Sequence, residues 1–364
     1  MPHSLGPLLR RATVGVLALA VTWAPGGFPA AATTARFAKA AKAAPEASSI
    51  SFAQRYRAHQ HGGIVRAANA SISCRTAPSC SDAQAGGGGV NGDFDMFYTD
   101  VDGDPNTYNS SRSEVRLPAG SRVTYARLYW GGNLRVGEQK PPEDNEKVLI
   151  AEPGGEYKPL RADTVVGHRA ADGAEAFQAS ADVTQLVRDS VPGMYTVAQV
   201  NVAMGRSEAG AWGGWTLVVA YENPAEPLRD LTIWDGFARL KSRDAELRLR
   251  DANFAAGAGG YAGLVAYNGD RGVTGDSLTM STGHDGSVDL TGPANPPDDV
   301  LNSTIADWGI ARIPAYANNL GYDSDVFDLG RGLQQAGDRV DLRLVSDRDT
   351  AWAGVLFAAV DAQQ

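Results

Sequence analysis

The sequence predicts an all-β protein, an antiparallel jelly-roll-like β-sandwich, with two related sandwiches in tandem as the expected architecture. Three observations carry that expectation. Apolar residues recur with a period of two in many short runs. Those runs are rich in β-branched and aromatic residues and are bounded by Gly, Pro, Asn and Asp, and helical patterns are few and short. Many strands with few helices favour antiparallel sheets packed face to face over a parallel α/β sheet.

In chain order, "VTYARLYW" (Val123 to Trp130) sets Val123, Tyr125 and Tyr129 on one face and Ala126, Leu128 and Trp130 on the other. "MYTVAQVNVAM", "WTLVVAYE", "LTIWDGF", "AELRLR", "GLVAY", "RVDLRLV" and "AGVLFAAV" repeat the pattern through to the C-terminus. The helical exceptions are "DVTQLVRDS" and "DVFDLGRGLQ". Each starts with an Asp (Asp182, Asp325) suited to capping one helical turn, and each is followed by two strands, the second entered through Trp and Gly. This internal echo predicts a first sandwich over 91–224 and a second over 225–364; one continuous sandwich is the alternative.

The segments ahead of the predicted sandwiches have a different character. Arg10 and Arg11 followed by the apolar run Ala12–Ala24, with small residues at Ala30 to Ala32, predict an export signal over 1–32. That run is short for a membrane span, which needs roughly 20 apolar residues. Residues 33–90 are Ala-rich with scattered charge, run into "AGGGGVNG" (Ala85 to Gly92), and are expected to form a flexible tether. Within the tether, Cys74 and Cys80 frame "CRTAPSC"; with export, the pair is expected to form a small disulfide loop. The expected location is therefore secreted or extracellular, loosely cell-surface associated, without membrane insertion after signal cleavage.

Charge narrows the partners. Removing residues 1–31 takes away two of the 33 Lys and Arg and none of the 42 Asp and Glu, leaving −11. Such a balance disfavours nucleic acid and anionic membranes, which reward basic patches.

"DVDGDPNTYNSSRSEVRLPAGSRVTYARLYWGGN", "AWGGWTLVVAYENPAEPLRDLTIWDGF" and "NNLGYDSDVFDL" together resemble a family of secreted actinobacterial proteins of uncharacterised function. In longer relatives the same β-sandwich module precedes immunoglobulin-like surface repeats. The likeness spans nearly all of residues 90–364. It implies surface or extracellular placement and no known activity.

Site chemistry is sparse. "TDVDGDPNTYNSS" (Thr99 to Ser111) crowds Asp100, Asp102 and Asp104. A helix–loop–helix calcium site counted from Asp100 needs Gly at position six and Glu at twelve, where this chain has Pro105 and Ser111. An irregular calcium loop stands against a polar turn in which short acids cap loose amides. "NNLGYDSDVFD" offers a second calcium candidate through Asp323 and Asp325. "GDSL" (Gly275 to Leu278) matches an esterase nucleophile block but has no His after His284 to complete it. "GAGGYAG" (Gly257 to Gly263) imitates a dinucleotide loop without the strand–helix context.

Among the tryptophans, Trp130 and Trp215 are expected in the core, while Trp212 and Trp308, flanked by Gly and polar residues, are candidates for stacking on sugar rings. The leading expectation is a non-catalytic binding, adhesion or envelope module whose partner is a cell-wall or extracellular polymer or a surface protein. A carbohydrate-active protein, either a sugar-binding module or a hydrolase with a carboxylate pair, is the alternative.

Overall fold

A nine-stranded antiparallel sheet runs through the protein in the order Tyr322–Asp328, Gly260–Tyr267, Trp352–Asp361, Leu228–Arg239, Ile50–Ala70, Gly213–Glu222, Arg122–Asn133, Ala174–Asp182, Val165–Ala171. The computed structural model describes residues 50–363, except 76, 164, 241–244, 284–285 and 307. The predicted export signal and the start of the predicted tether lie outside the described residues. Three smaller sheets accompany the large one, the smallest a two-stranded pairing of Ile72–Cys74 with Met96–Tyr98. A five-stranded sheet is ordered Arg312–Ile313, Ser110–Val115, Gly193–Ala198, Lys147–Ala151, Lys158–Arg161. A four-stranded sheet is ordered Ala245–Phe254, Gly337–Ser346, Asp276–Ser281, Val288–Asp289. The predicted all-β sandwich class is the observed one.

The strand Ile50–Ala70 organises the fold. Its first part, from Ile50 to His61, pairs with Leu228–Arg239, and its second part, from Gly62, pairs with Gly213–Glu222. The change of partner falls at Gly62, whose φ of +141° suits glycine, and where a Cβ would meet the Tyr221 carbonyl oxygen at 2.0 Å. The large sheet thus has two halves joined by one shared strand. Residues 50–70, expected as tether, are instead the centre of the sheet. Polar side chains on it have partners far along the chain: Arg55 donates to both Asp235 oxygens (2.7 and 3.1 Å), and His59 meets Asp230 at 2.9 Å.

The two halves face each other. Their common core sets Ala68, Tyr129, Trp212 and Val218 against Ile233, Phe237, Tyr267, Trp352 and Phe357. Tyr129 donates to Asp235 (3.0 Å) and Tyr267 to Gln178 (2.9 Å) across it. On its outer side each half carries one small sheet. Val148, Ile150 and Val197 pack on Leu128, Trp130 and Leu217 in one sandwich; Leu278, Met280 and Leu342 pack on Leu264 and Leu356 in the other. Four layers result, each inner face apolar, as period-two alternation demands.

Two features cut across the expected 91–224 and 225–364 division. The shared strand belongs to both halves, and Arg312–Ile313 adds an edge strand to the five-stranded sheet by pairing with Ser113 and Arg112. Local structure also divides the echo. After Asp182, whose carboxylate accepts from the Thr184 amide (2.8 Å), a short helix covers Thr184–Arg188 as expected. Asp325 instead lies within the strand Tyr322–Asp328, paired with Leu264, so the expected helical turn there is absent. Its neighbours Tyr322 and Phe327 are drawn into cores on the two faces of that strand, which an extended backbone satisfies and a single turn does not.

Cys74 and Cys80 are bonded, with Cα atoms 5.7 Å apart. The bridge ties the strand Ile72–Cys74 to the helix Pro78–Gln84, and both sulfurs are buried with Ile72, Ala83, Phe94 and Met96. Among the described residues no helix is long and apolar enough to cross a membrane.

Candidate functional site

The groove around Trp308 lies where the two halves of the large sheet meet. Ile64 and Val65 line it just past the partner switch at Gly62. Tyr221, Glu226, Arg229, Gly260 and Asp361 enter from neighbouring strand ends, and Leu117, Pro118, Trp308 and Ile310 close it from loops. Its volume is about 610 Å³. Seams between packed units are common places for ligand clefts, because loops and strand ends from both sides converge there.

Trp308 stands 65% exposed. One edge is held against Tyr261, ring centres 5.4 Å apart and planes at 84°, an edge-to-face contact. Tyr261 is itself fixed: its hydroxyl accepts from the Ile64 amide (2.7 Å) and donates to the Ile64 carbonyl (2.9 Å). Burial raises its pKa, so it stays a neutral phenol at physiological pH. Arg229 donates to Asp361 (2.7 Å), to the Gly62 carbonyl (2.6 Å) and to Glu226 (3.1 Å), with its guanidinium 5.8 Å from the Tyr261 ring centre. The groove therefore offers an open indole plate beside pre-positioned hydrogen-bonding groups, with Asp328 and Arg116 also on its wall.

Of the two tryptophans singled out in the sequence, only Trp308 is in such a position. Trp212 is fully buried, 6.0 Å from Tyr267 in the core between the half-sheets. Its glycine-rich surroundings make room for the indole rather than expose it. At Gly321 (φ +97°) a Cβ would stand 2.7 Å from Trp212 Cβ. Sequence reading missed Tyr261 and Arg229, which give no local signal because their partners are distant in the chain.

The first acidic candidate is a self-satisfied turn. Asp100 accepts from the Ser110 hydroxyl (2.7 Å), and Asp102 accepts from the Asp104 amide (2.7 Å), the Thr107 hydroxyl (3.1 Å) and the Tyr157 hydroxyl. Asp104 accepts from the Asn106 amide and side chain (2.9 and 2.8 Å). Partial burial pushes Asp102 upward, but its donors, led by Tyr157, outweigh that and leave its pKa lowered. The three carboxylates are each spent on local donors, and among the described residues no three His, Cys, Asp or Glu side chains close on a metal position.

The second candidate is fully buried. Asp323 Oδ1 accepts from the Thr304 amide (3.1 Å). Asp325 Oδ1 accepts from the Thr304 hydroxyl (3.0 Å) and the Ala306 amide (2.7 Å). Asp325 also feels Arg66, which opposes the upward push of burial.

The motif look-alikes resolve into ordinary strand. Ser277 of "GDSL" sits in the strand Asp276–Ser281, without the strand–turn–helix that exposes a nucleophile, and His284 lies outside the described residues. "GAGGYAG" leads into the strand Gly260–Tyr267, with no helix following to receive a phosphate.

No family model and no curated protein matches the chain. A chain from the atomic structure of Sulfolobus turreted icosahedral virus is similar at 8% identity with a TM-score of 0.21, over 82% of this chain and 90% of that one, too loosely for the two folds to be equated.

Proposed function

We propose that this protein is a non-catalytic, extracellular binding module that holds a polysaccharide-type polymer in the Trp308 groove. The observation that carries the reading is the exposed Trp308 indole, braced on Tyr261 and flanked by the anchored Arg229, Glu226 and Asp361. A sugar ring offers an apolar C–H face to the indole and equatorial hydroxyls to the surrounding charged groups, which matches this mixture. The bracing lowers the entropy cost of binding, because neither Tyr261 nor Arg229 needs to be ordered by the ligand. Placement outside the cell is supported by the Cys74–Cys80 bridge, since such bonds persist in oxidising compartments.

The test is affinity electrophoresis of the protein through gels containing cell-wall or plant polysaccharides, with release of reducing sugar measured in parallel. Retention without sugar release is expected on at least one polymer. Trp308→Ala is expected to weaken retention at least tenfold, with a melting midpoint within about 2 °C of the parent because the ring is largely exposed. Sugar release, or retention indifferent to Trp308→Ala, contradicts the reading.

A further inference from the structure

The interior of the second sandwich gathers acids from across the chain. Asp276 and Asp323 are fully buried, Asp349 is 4% exposed and Asp299 8%. They arrive from four separate segments of chain. Asp276 begins the strand Asp276–Ser281, and Asp299 is bridged to it in parallel. Asp323 lies on Tyr322–Asp328, and Asp349 in the turn before Trp352–Asp361. Among the described residues none of the four forms an ion pair. The strongest electrostatic influences on Asp276 are Asp349, then Asp299 and Asp347, all carboxylates.

Hydrogen bonding compensates only in part. Both oxygens of Asp276, Oδ1 of Asp299 and Oδ2 of Asp323 are buried without a partner. Ser346 lies close enough to oppose the upward push of burial on Asp276, but its hydroxyl donates to the Asp349 carbonyl (3.3 Å). Asp299 spends its other oxygen on the Gly272 amide (3.0 Å), and Asp349 spends both, on the amides of Asp270 (2.7 Å) and Thr350 (2.6 Å). Main-chain oxygen is also turned inward nearby. A Cβ on Gly269 would stand 2.5 Å from both Asp323 Oδ2 and the Leu301 carbonyl oxygen. Arg66 opposes the push of burial on Asp325 and Arg271 opposes it on Asp299, whereas the charges acting on Asp276 are all carboxylates.

Two carboxylates on directly opposed residues repel each other, and burying them unpaired is unfavourable. Asp276 and Asp299 are in that position, with three unpartnered oxygens between them. Protonation is one remedy: burial first, then Asp349 and Asp299, pushes Asp276 up to about 7. A cation is the other, and it uses the oxygens as they stand, as acceptors with no donor.

We propose that Asp276 and Asp299 hold a calcium-sized divalent cation, with main-chain oxygens and water completing the shell. No three acidic side chains close on one point among the described residues, so the shell is a pair of carboxylates plus neutral oxygens. Calcium accepts such mixed, irregular sets of six to eight oxygens, whereas magnesium demands a regular octahedron at shorter distances. The ion would pin the loop 294–304 to the first residue of Asp276–Ser281, a structural role separate from the Trp308 groove.

The test is calorimetric titration of the purified, chelator-stripped chain with calcium chloride, and with magnesium chloride as comparison, at neutral pH. One calcium per chain is expected, with magnesium at least tenfold weaker. Asp276→Asn keeps the shape and removes the charge; it is expected to abolish uptake while far-ultraviolet circular dichroism remains that of the parent. Asp299→Asn is a second variant, expected to weaken uptake at least tenfold should Asp276→Asn fail to fold. No uptake by the stripped parent, or uptake unchanged in both variants, overturns the site and leaves a protonated acid cluster in its place.

Discussion

The loop 99–111 and the interior around Asp276 contain the same chemical group in opposite settings. In the loop, three aspartates within five residues each meet donors from the turn itself or from Tyr157. In the interior, aspartates tens of residues apart in sequence are brought together and left with bare oxygens. The dense cluster is a turn, and the scattered one has the unsatisfied chemistry. Acid density along a chain thus reports turn propensity, because short carboxylates cap local amides. Convergence in space with buried oxygens left over is what points to a ligand, and only tertiary structure reveals it.

The largest contrast is expected from glycines. Gly269 faces Asp323 Oδ2 and the Leu301 carbonyl at 2.5 Å from an added Cβ, whereas Gly103 (φ +68°) has open space around it. Gly269→Ala is expected to cost about 3 kcal/mol, from overpacking against oxygen atoms that cannot retreat. Gly103→Asn, a residue that tolerates the left-handed region, is expected to cost under about 1 kcal/mol. Urea unfolding of both variants measures the difference; equal costs would show the two acidic regions to be equally tolerant.

A smaller contrast is expected with pH, and it has opposite signs. In chelated protein, Asp276 is raised to about 7 by burial and by Asp349 and Asp299, so the native state binds more protons than the unfolded one. Its contribution is full below the unfolded carboxylate pKa and is lost as pH rises through about 7. The chelated melting midpoint is expected to fall by about 5 °C between pH 5 and 8. Asp102 is lowered, so its contribution is present above the unfolded value and is lost as pH falls through the lowered one. Asp276→Asn should flatten the neutral limb and Asp102→Asn the acid limb; an exchange of those effects would break the comparison.

Much of the architecture was legible in the sequence, and the exceptions share a cause. Strands such as Arg122–Asn133 and Trp352–Asp361 announce themselves because both faces are apolar or alternate cleanly. The central strand Ile50–Ala70 does not, because "QRYRAHQH" carries charges whose partners, Asp235 and Asp230, are more than 170 residues away. Trp212 was misplaced for a similar reason: the glycine that admits its indole is Gly321, on another strand end. Trp308 was legible because exposure follows from its own polar neighbours. Asp323 was the one member of the interior group with a local signal, and Asp276, Asp299 and Asp349 each look like ordinary turn acids in sequence.

The claim that the scattered acids, not the dense ones, hold a cation is tested most directly by melting three proteins with calcium and with chelator at neutral pH: the parent, Asp102→Asn and Asp276→Asn. Binding to the native state alone raises stability by about 2.7 kcal/mol at a hundredfold excess over the dissociation constant. The parent and Asp102→Asn are predicted to share one calcium-dependent rise in midpoint, and Asp276→Asn to show none. Coincident midpoints in the parent, or a rise lost in Asp102→Asn and kept in Asp276→Asn, would contradict the account.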